Sequence, residues 1–139
     1  MKIENYSYTP AFQGLNINEN TIRYVTNNVS KEDLPFINAV CDLFEASTIR
    51  NFYFDSSKGH LLGKVSEMRP KVNADGSFVK PLTNEEVTFA TINEHKHQPI
   101  TYIFRRFLRY LEDVDPTAAN MCEQKVNTGN YTKRFEKYI

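Results

Sequence analysis

Four side chains between residues 100 and 114 have the types and spacing to bind an anion: Tyr102, Arg105, Arg106 and Arg109. With Ile100 at zero on a helical wheel and about 100° per residue, Ile103, Phe104, Phe107, Leu108, Leu111 and Val114 share an arc of roughly 160°, the stripe a helix buries. The three arginines fall opposite, with Tyr102 among them, one turn from Arg105 and Arg106. A guanidinium offers a planar fork of donors and packs on aromatic faces, so the group suits a phosphate, a carboxylate or a stacked base. Arg105 and Arg109, four apart, repel each other and add nothing to the helix. The plainer account is a solvated face with Arg109 paired to Asp113. Lys96, His95 and His97 extend the basic character upstream, whereas Glu112, Asp113 and Asp115 follow at once. That alternation repels a long polyanion and favours a protein partner or a small anionic ligand over duplex nucleic acid.

Glu94-His95-Lys96-His97 raises the question of metal. In extended chain the two imidazoles point to one side, as two ligands of one zinc must; in a helix they lie about 200° apart and cannot share an ion. Gln98 precedes Pro99 and is biased to extended geometry. A third ligand would have to come from Glu94 or His60, and the usual spacing of zinc motifs is missing, so a polar turn between elements is expected and neither a metal nor a cofactor is assigned. Nucleophilic catalysis would need Cys41 or Cys122 with His60, His95 or His97 in reach. Both cysteines fall in amphipathic helical patterns, Cys41 on the apolar face beside Ile37 and Phe44, where a small buried thiol is the ordinary outcome. The five glycines are isolated and form no phosphate-binding loop.

The elements that must position these groups come from a chain of 139 residues, 40% hydrophobic and 13% aromatic, enough apolar surface to offset the entropy of ordering one domain spanning 1–139. Seventeen Lys and Arg balance seventeen Asp and Glu, which argues against a dedicated nucleic-acid or membrane-surface protein. The N-terminus, Met1-Lys2-Ile3-Glu4-Asn5-Tyr6, lacks the apolar core of a secretory signal, and no apolar run approaches the roughly 18 residues of a membrane span, so a cytoplasmic location is expected. Two cysteines about eighty positions apart do not make a disulfide framework.

The expected fold is α+β, a three- or four-stranded antiparallel sheet packed against a first helix and a helical C-terminal half. Residues 1–20, with Tyr6, Tyr8, Pro10 and Gly14, read as an extended arm, and the β-branched and aromatic run 21–26 reads as a strand. Ser30 with Asp33, and Val29 with Leu34, open the first helix, whose apolar positions Ile37, Val40, Cys41 and Phe44 follow the helical period. Over 49–82, Gly-containing turns at 58–59 and 75–76 divide an antiparallel meander whose third strand, 78–82, is an edge limited by Pro70 and Pro81. Thr83-Asn-Glu-Glu86 is a capping box, and Leu82 with Val87 makes a staple, so a helix is predicted from 84 to 93–95. Pro99 starts the next helix, running to about 113; Asp115-Pro116 starts another that ends near 126 at Gly129; a short last helix covers 131–138.

This pattern implies a non-enzymatic protein-interaction module, of inhibitor or adaptor type, docking through Tyr102, Arg105, Arg106 and Arg109 with Lys96, His95 and His97 at its margin. Two other classes compete: a small Cys/His-dependent enzyme, and a structural subunit that self-associates as a homo-oligomer through its aromatic strands and N-terminal arm. Phe52-Tyr53-Phe54 puts rings on both faces of the sheet, making the 49–82 sheet the second candidate surface.

Overall fold

β1 (Leu15–Ile17) opens the portion of the chain, residues 14–139, that this computed structural model describes. The first part of the expected arm, with Tyr6, Tyr8 and Pro10, lies outside the described residues. α1 (Glu19–Asn28) follows. A 3-10 turn (Lys31–Asp33) leads into α2 (Leu34–Ala46), then β2 (Asn51–Asp55), β3 (Leu62–Pro70), β4 (Asn84–Asn93), α3 (Ile100–Glu112), α4 (Ala118–Thr128) and a closing 3-10 turn (Glu136–Tyr138). The fold is α+β, and the four strands stand in the order β1-β2-β3-β4.

The sheet is mixed rather than purely antiparallel. β2, β3 and β4 form the expected meander, but β1 pairs with β2 in parallel, Leu15 opposite Phe52 and Ile17 opposite Phe54. Parallel neighbours need a crossover, and α1 with α2 supplies it. Three further expectations fail for definable reasons. Residues 21–26 are helical, because Asn18 Oδ1 accepts from Thr21 N at 2.9 Å and the buried set Thr21, Ile22, Val25 and Thr26 recurs at helical spacing. Residues 84–93 are the edge strand β4, not a helix. The capping box never forms: Thr83 Oγ1 donates to Pro81 O, and the Glu86 carboxylate accepts from Ser66 Oγ at 2.6 Å and Lys64 Nζ at 3.4 Å across the ladder. Residues 78–82 are no strand of the sheet; only an isolated bridge, Val72 to Phe78, joins that segment to the chain before it.

The remaining helices lie close to expectation, with shifted ends. The 3-10 turn replaces the first turn of the helix at Ser30, and the expected Ser30–Asp33 box gives way to Asp33 Oδ2 accepting from Thr101 Oγ1 at 3.0 Å. α4 starts at Ala118 after Thr117 and ends at Gly129, whose φ of 70° is the left-handed conformation a helix stop favours. Only the 3-10 turn at 136–138 survives of the last helix predicted.

Among the described residues the helices gather on one side of the sheet, α4 lying on α2 and α3. Phe52, Phe54, Val65 and Ile92 point into a core shared with Val25, Ile37, Val40, Phe44, Ile103, Phe104 and Phe107. Phe44 stacks on Phe52 with centroids 4.0 Å apart, and Phe54 on Phe104 at 4.5 Å. The opposite face is polar: Lys64 Nζ sits 4.5 Å from the Tyr53 ring centroid, above the Ser66–Glu86 pair. The C-terminal segment is tied to α2, where buried Asn38 accepts from Phe135 N at 3.2 Å and Arg134 reaches Asp42 at 3.3 Å.

Candidate functional site

α3 crosses the sheet at Gly63. A Cβ there would lie 2.6 Å from Phe107 Cε2 and 3.2 Å from Ile103 Cγ2, so only glycine lets the helix seat this closely. Seating Ile103, Phe104, Phe107 and Leu111 fixes the rotation of the helix, and Tyr102 and Arg109 are thereby exposed while Arg106 is half-buried between them.

The predicted cluster divides in two. Arg106 Nη1 donates to Tyr102 Oη at 3.3 Å, its guanidinium 5.8 Å from the Tyr102 ring centroid. The phenol oxygen accepting that bond holds the Arg106 pKa above its ordinary value. Arg106 and Arg109, with Tyr110 and Asp113, line an open depression of about 200 Å³. No ion pair joins Arg109 to Asp113, and neither Arg106 nor Arg109 has a carboxylate partner among the described residues. Arg105 leaves the group. It turns to the α2 side of the helix, its guanidinium 4.6 Å from the Phe36 centroid, in a cleft of about 440 Å³ that Leu108, Cys122 and Val126 also line.

His95, Lys96 and His97 are exposed in the turn between β4 and α3, at the end where Tyr102 stands. Arg109 is seven residues along the helix from Tyr102, roughly 10 Å away. His95 N and Gln98 N exchange bonds with each other's carbonyls, His95 Nδ1 accepts from His97 N at 3.2 Å, and the ring centroids are 6.1 Å apart. Glu94 is committed elsewhere, accepting at Oε1 from Tyr24 Oη at 2.7 Å and Leu61 N at 2.8 Å. Among the described residues no three His, Cys, Asp or Glu side chains are grouped as a metal site.

Neither thiol is placed as a nucleophile. Cys41 is fully buried, and burial, only partly opposed by the Arg134 charge, pushes its pKa up to about 12. Burial likewise takes Cys122 to about 11 against the lowering charges of Arg105 and Lys125. A buried thiol held protonated is a poor nucleophile.

Sequence reasoning missed a second arginine cluster. Arg50 is buried at the start of β2, its Nε donating to Glu67 Oε1 at 2.8 Å and its Nη1 to Tyr110 O at 3.2 Å. Arg69 Nε donates to the other Glu67 oxygen at 2.9 Å. The Phe89 ring lies under both guanidiniums, 4.2 Å from Arg50 and 5.0 Å from Arg69. Glu67 and Arg69, two apart on a strand, share a face, which was the one local signal; Arg50 joins only through the pairing of β2 with β3. These arginines are paired with a carboxylate, which Arg106 and Arg109 are not among the described residues.

No protein-family model matches the chain, and no match was found among curated proteins or solved structures. Function is therefore argued from the site alone.

Proposed function

We propose that the protein is a non-enzymatic binding module that docks an acidic segment of a protein partner on Tyr102, Arg106 and Arg109. The observation that carries this reading is the pair of guanidiniums beside a phenol without carboxylate partners among the described residues, while Arg50, Arg69 and Arg134 are all paired. Arginine forks engage carboxylates bidentately, and Tyr and Arg are the residues most enriched where interfaces hold their energy. An open depression of about 200 Å³ suits a protein surface better than an enclosed small-molecule site. Lys96, His95 and His97 extend the contact past Tyr102, and Asp113 sets its limit, selecting against a continuous polyanion. The buried thiols, with their raised pKa values, favour binding over a Cys/His enzyme.

Affinity capture with the native protein and with the Arg106→Glu/Arg109→Glu variant tests the reading. Partners retained by the native protein should be lost by the variant, while the melting temperature falls by no more than a few degrees, because Arg109 is exposed and half-buried Arg106 gives up one neutral hydrogen bond, worth about 1 kcal/mol. Equal capture by both proteins removes this face as the site.

A further inference from the structure

Five of the seven large hydrophobic side chains exposed among the described residues belong to just two features. The first is a ribbon that continues the β3–β4 hairpin beyond the sheet. Lys71 N donates to Thr83 O at 2.7 Å, Val79 N to Lys71 O at 3.1 Å and Asn73 N to Ser77 O at 2.7 Å, so the ribbon is held in shape by its own backbone. It presents Val72 at 54%, Phe78 at 57% and Leu82 at 68% exposure, and Val72 stands opposite Phe78. Within the ribbon, residues 71–83, Lys71 and Lys80 outweigh the single acid, Asp75.

The second feature is a cleft of about 200 Å³ where α2 and α3 end and α4 begins. Its floor is Leu43, Leu111 and Val114; Ile49 and Met121 are its exposed rim. The C-terminal ends of α2 and α3, each the negative end of a helix dipole, meet here, and Asp115, whose Oδ1 accepts from Thr117 Oγ1 at 3.0 Å, lines the cleft where the positive end of α4 begins. The cleft is apolar inside, with Asp115 its one charged lining residue and two helix C-termini at its edge; the ribbon is apolar with two lysines against one acid.

The two features also lie at the same end of the sheet. Ile49 is two residues before β2, whose first residue, Asn51, pairs with Ser66; β3 continues from there to Pro70, where the ribbon starts. Exposure of Val72 and Phe78 shows that the ribbon does not occupy its own cleft. We infer that the chain forms a two-fold dimer in which the ribbon of each copy, led by Phe78, seats in the cleft of the other. Donor and acceptor surfaces on one end of one chain are what a reciprocal, closed interface requires. The ribbon is ordered before it binds, so little entropy is lost on docking. These residues are separate from Tyr102, Arg106 and Arg109.

Sedimentation at rising concentration, to about 1 mM, tests the dimer. The native protein should reach twice the monomer mass. Phe78→Asp on the ribbon and Met121→Asp on the cleft rim should each weaken the dimer about tenfold or more while leaving the melting transition of the monomer in place. Lys71→Glu/Lys80→Glu should weaken it and remove its salt dependence, whereas Arg106→Glu/Arg109→Glu should leave it intact. Mixing Phe78→Cys with Met121→Cys under oxidising conditions should give an interchain disulfide. A native protein that stays monomeric overturns the inference and leaves the ribbon to a foreign acidic partner; a dimer indifferent to Phe78→Asp, or one abolished by the α3 variant, overturns it in favour of another interface.

Discussion

Arg50 and Glu67 form an ion pair of 2.8 Å whose side chains are only 9% and 13% exposed, and the pair ties the start of β2 to β3 and to the last turn of α3. Burial works to raise the Glu67 pKa, but hydrogen bonds from Arg50 and Arg69, with their charges, outweigh it and hold the carboxyl below its ordinary 4.5. A carboxyl with a lowered folded-state pKa stabilises fully above its unfolded value, and the contribution disappears as pH falls through the folded value. Glu67→Ala strands a buried guanidinium and should cost about 3 kcal/mol at neutral pH. In urea titrations the gap between native protein and variant should close below about pH 4; a gap that is the same at every pH would contradict the assignment.

Gly63→Ala forces a methyl into the Phe107 ring and should destabilise by about 1–3 kcal/mol. Phe107→Leu in the same chain should return part of that loss, since the two positions are in contact. The double-mutant cycle in denaturant measures this, and additive effects would mean that α3 does not seat on Gly63.

Asn38 joins α2 to the C-terminal segment, accepting from Phe135 N and donating to Glu136 Oε1 at 3.1 Å. Asn38→Ala leaves the Phe135 amide buried and unpaired and should cost about 1–3 kcal/mol. Amide exchange should show protection falling first at Phe135; unchanged protection there would refute the tie.

The thiols of Cys41 and Cys122, raised to about 12 and 11 by burial, should be unreactive in the native state. An aromatic disulfide reagent near neutral pH should label them only as fast as the protein opens, and both at once in denaturant. Rapid labelling of native protein would instead revive the Cys/His enzyme.

How much of this was legible varies by element. The α3 helix, with Tyr102 and Arg109 exposed and Arg106 half-buried between them, was readable because the 3.6-residue period alone separates the buried stripe from its opposite side. Arg105 lies as far from that stripe as Arg106 does, and whether it joined the others depended on Phe36 of α2 standing close enough to stack. In α1 the helical spacing of Ile22, Val25 and Thr26 was present beneath a β-rich composition, which the cap at Asn18 overrides.

β4 is the clearest contrast. Its first residues carry a complete helix-start signature, yet Val87, Thr88, Phe89, Thr91 and Ile92 are strand formers, and pairing with β3 satisfies the backbone from Leu62 to Pro70. Local caps are each worth about 1 kcal/mol, which the ladder that pairs β4 with β3 along its length exceeds. The sequence by itself determined α2, α3 and α4, the hairpin turns at 58–59 and 75–76, the apolar faces of α2 and α3 and the charged side of α3, all of which rest on neighbours a few positions apart. Only the tertiary structure decided the parallel β1–β2 pair, the Arg50–Glu67–Arg69 cluster and the departure of Arg105, because each depends on residues brought together across long stretches of chain whose separation leaves no local trace.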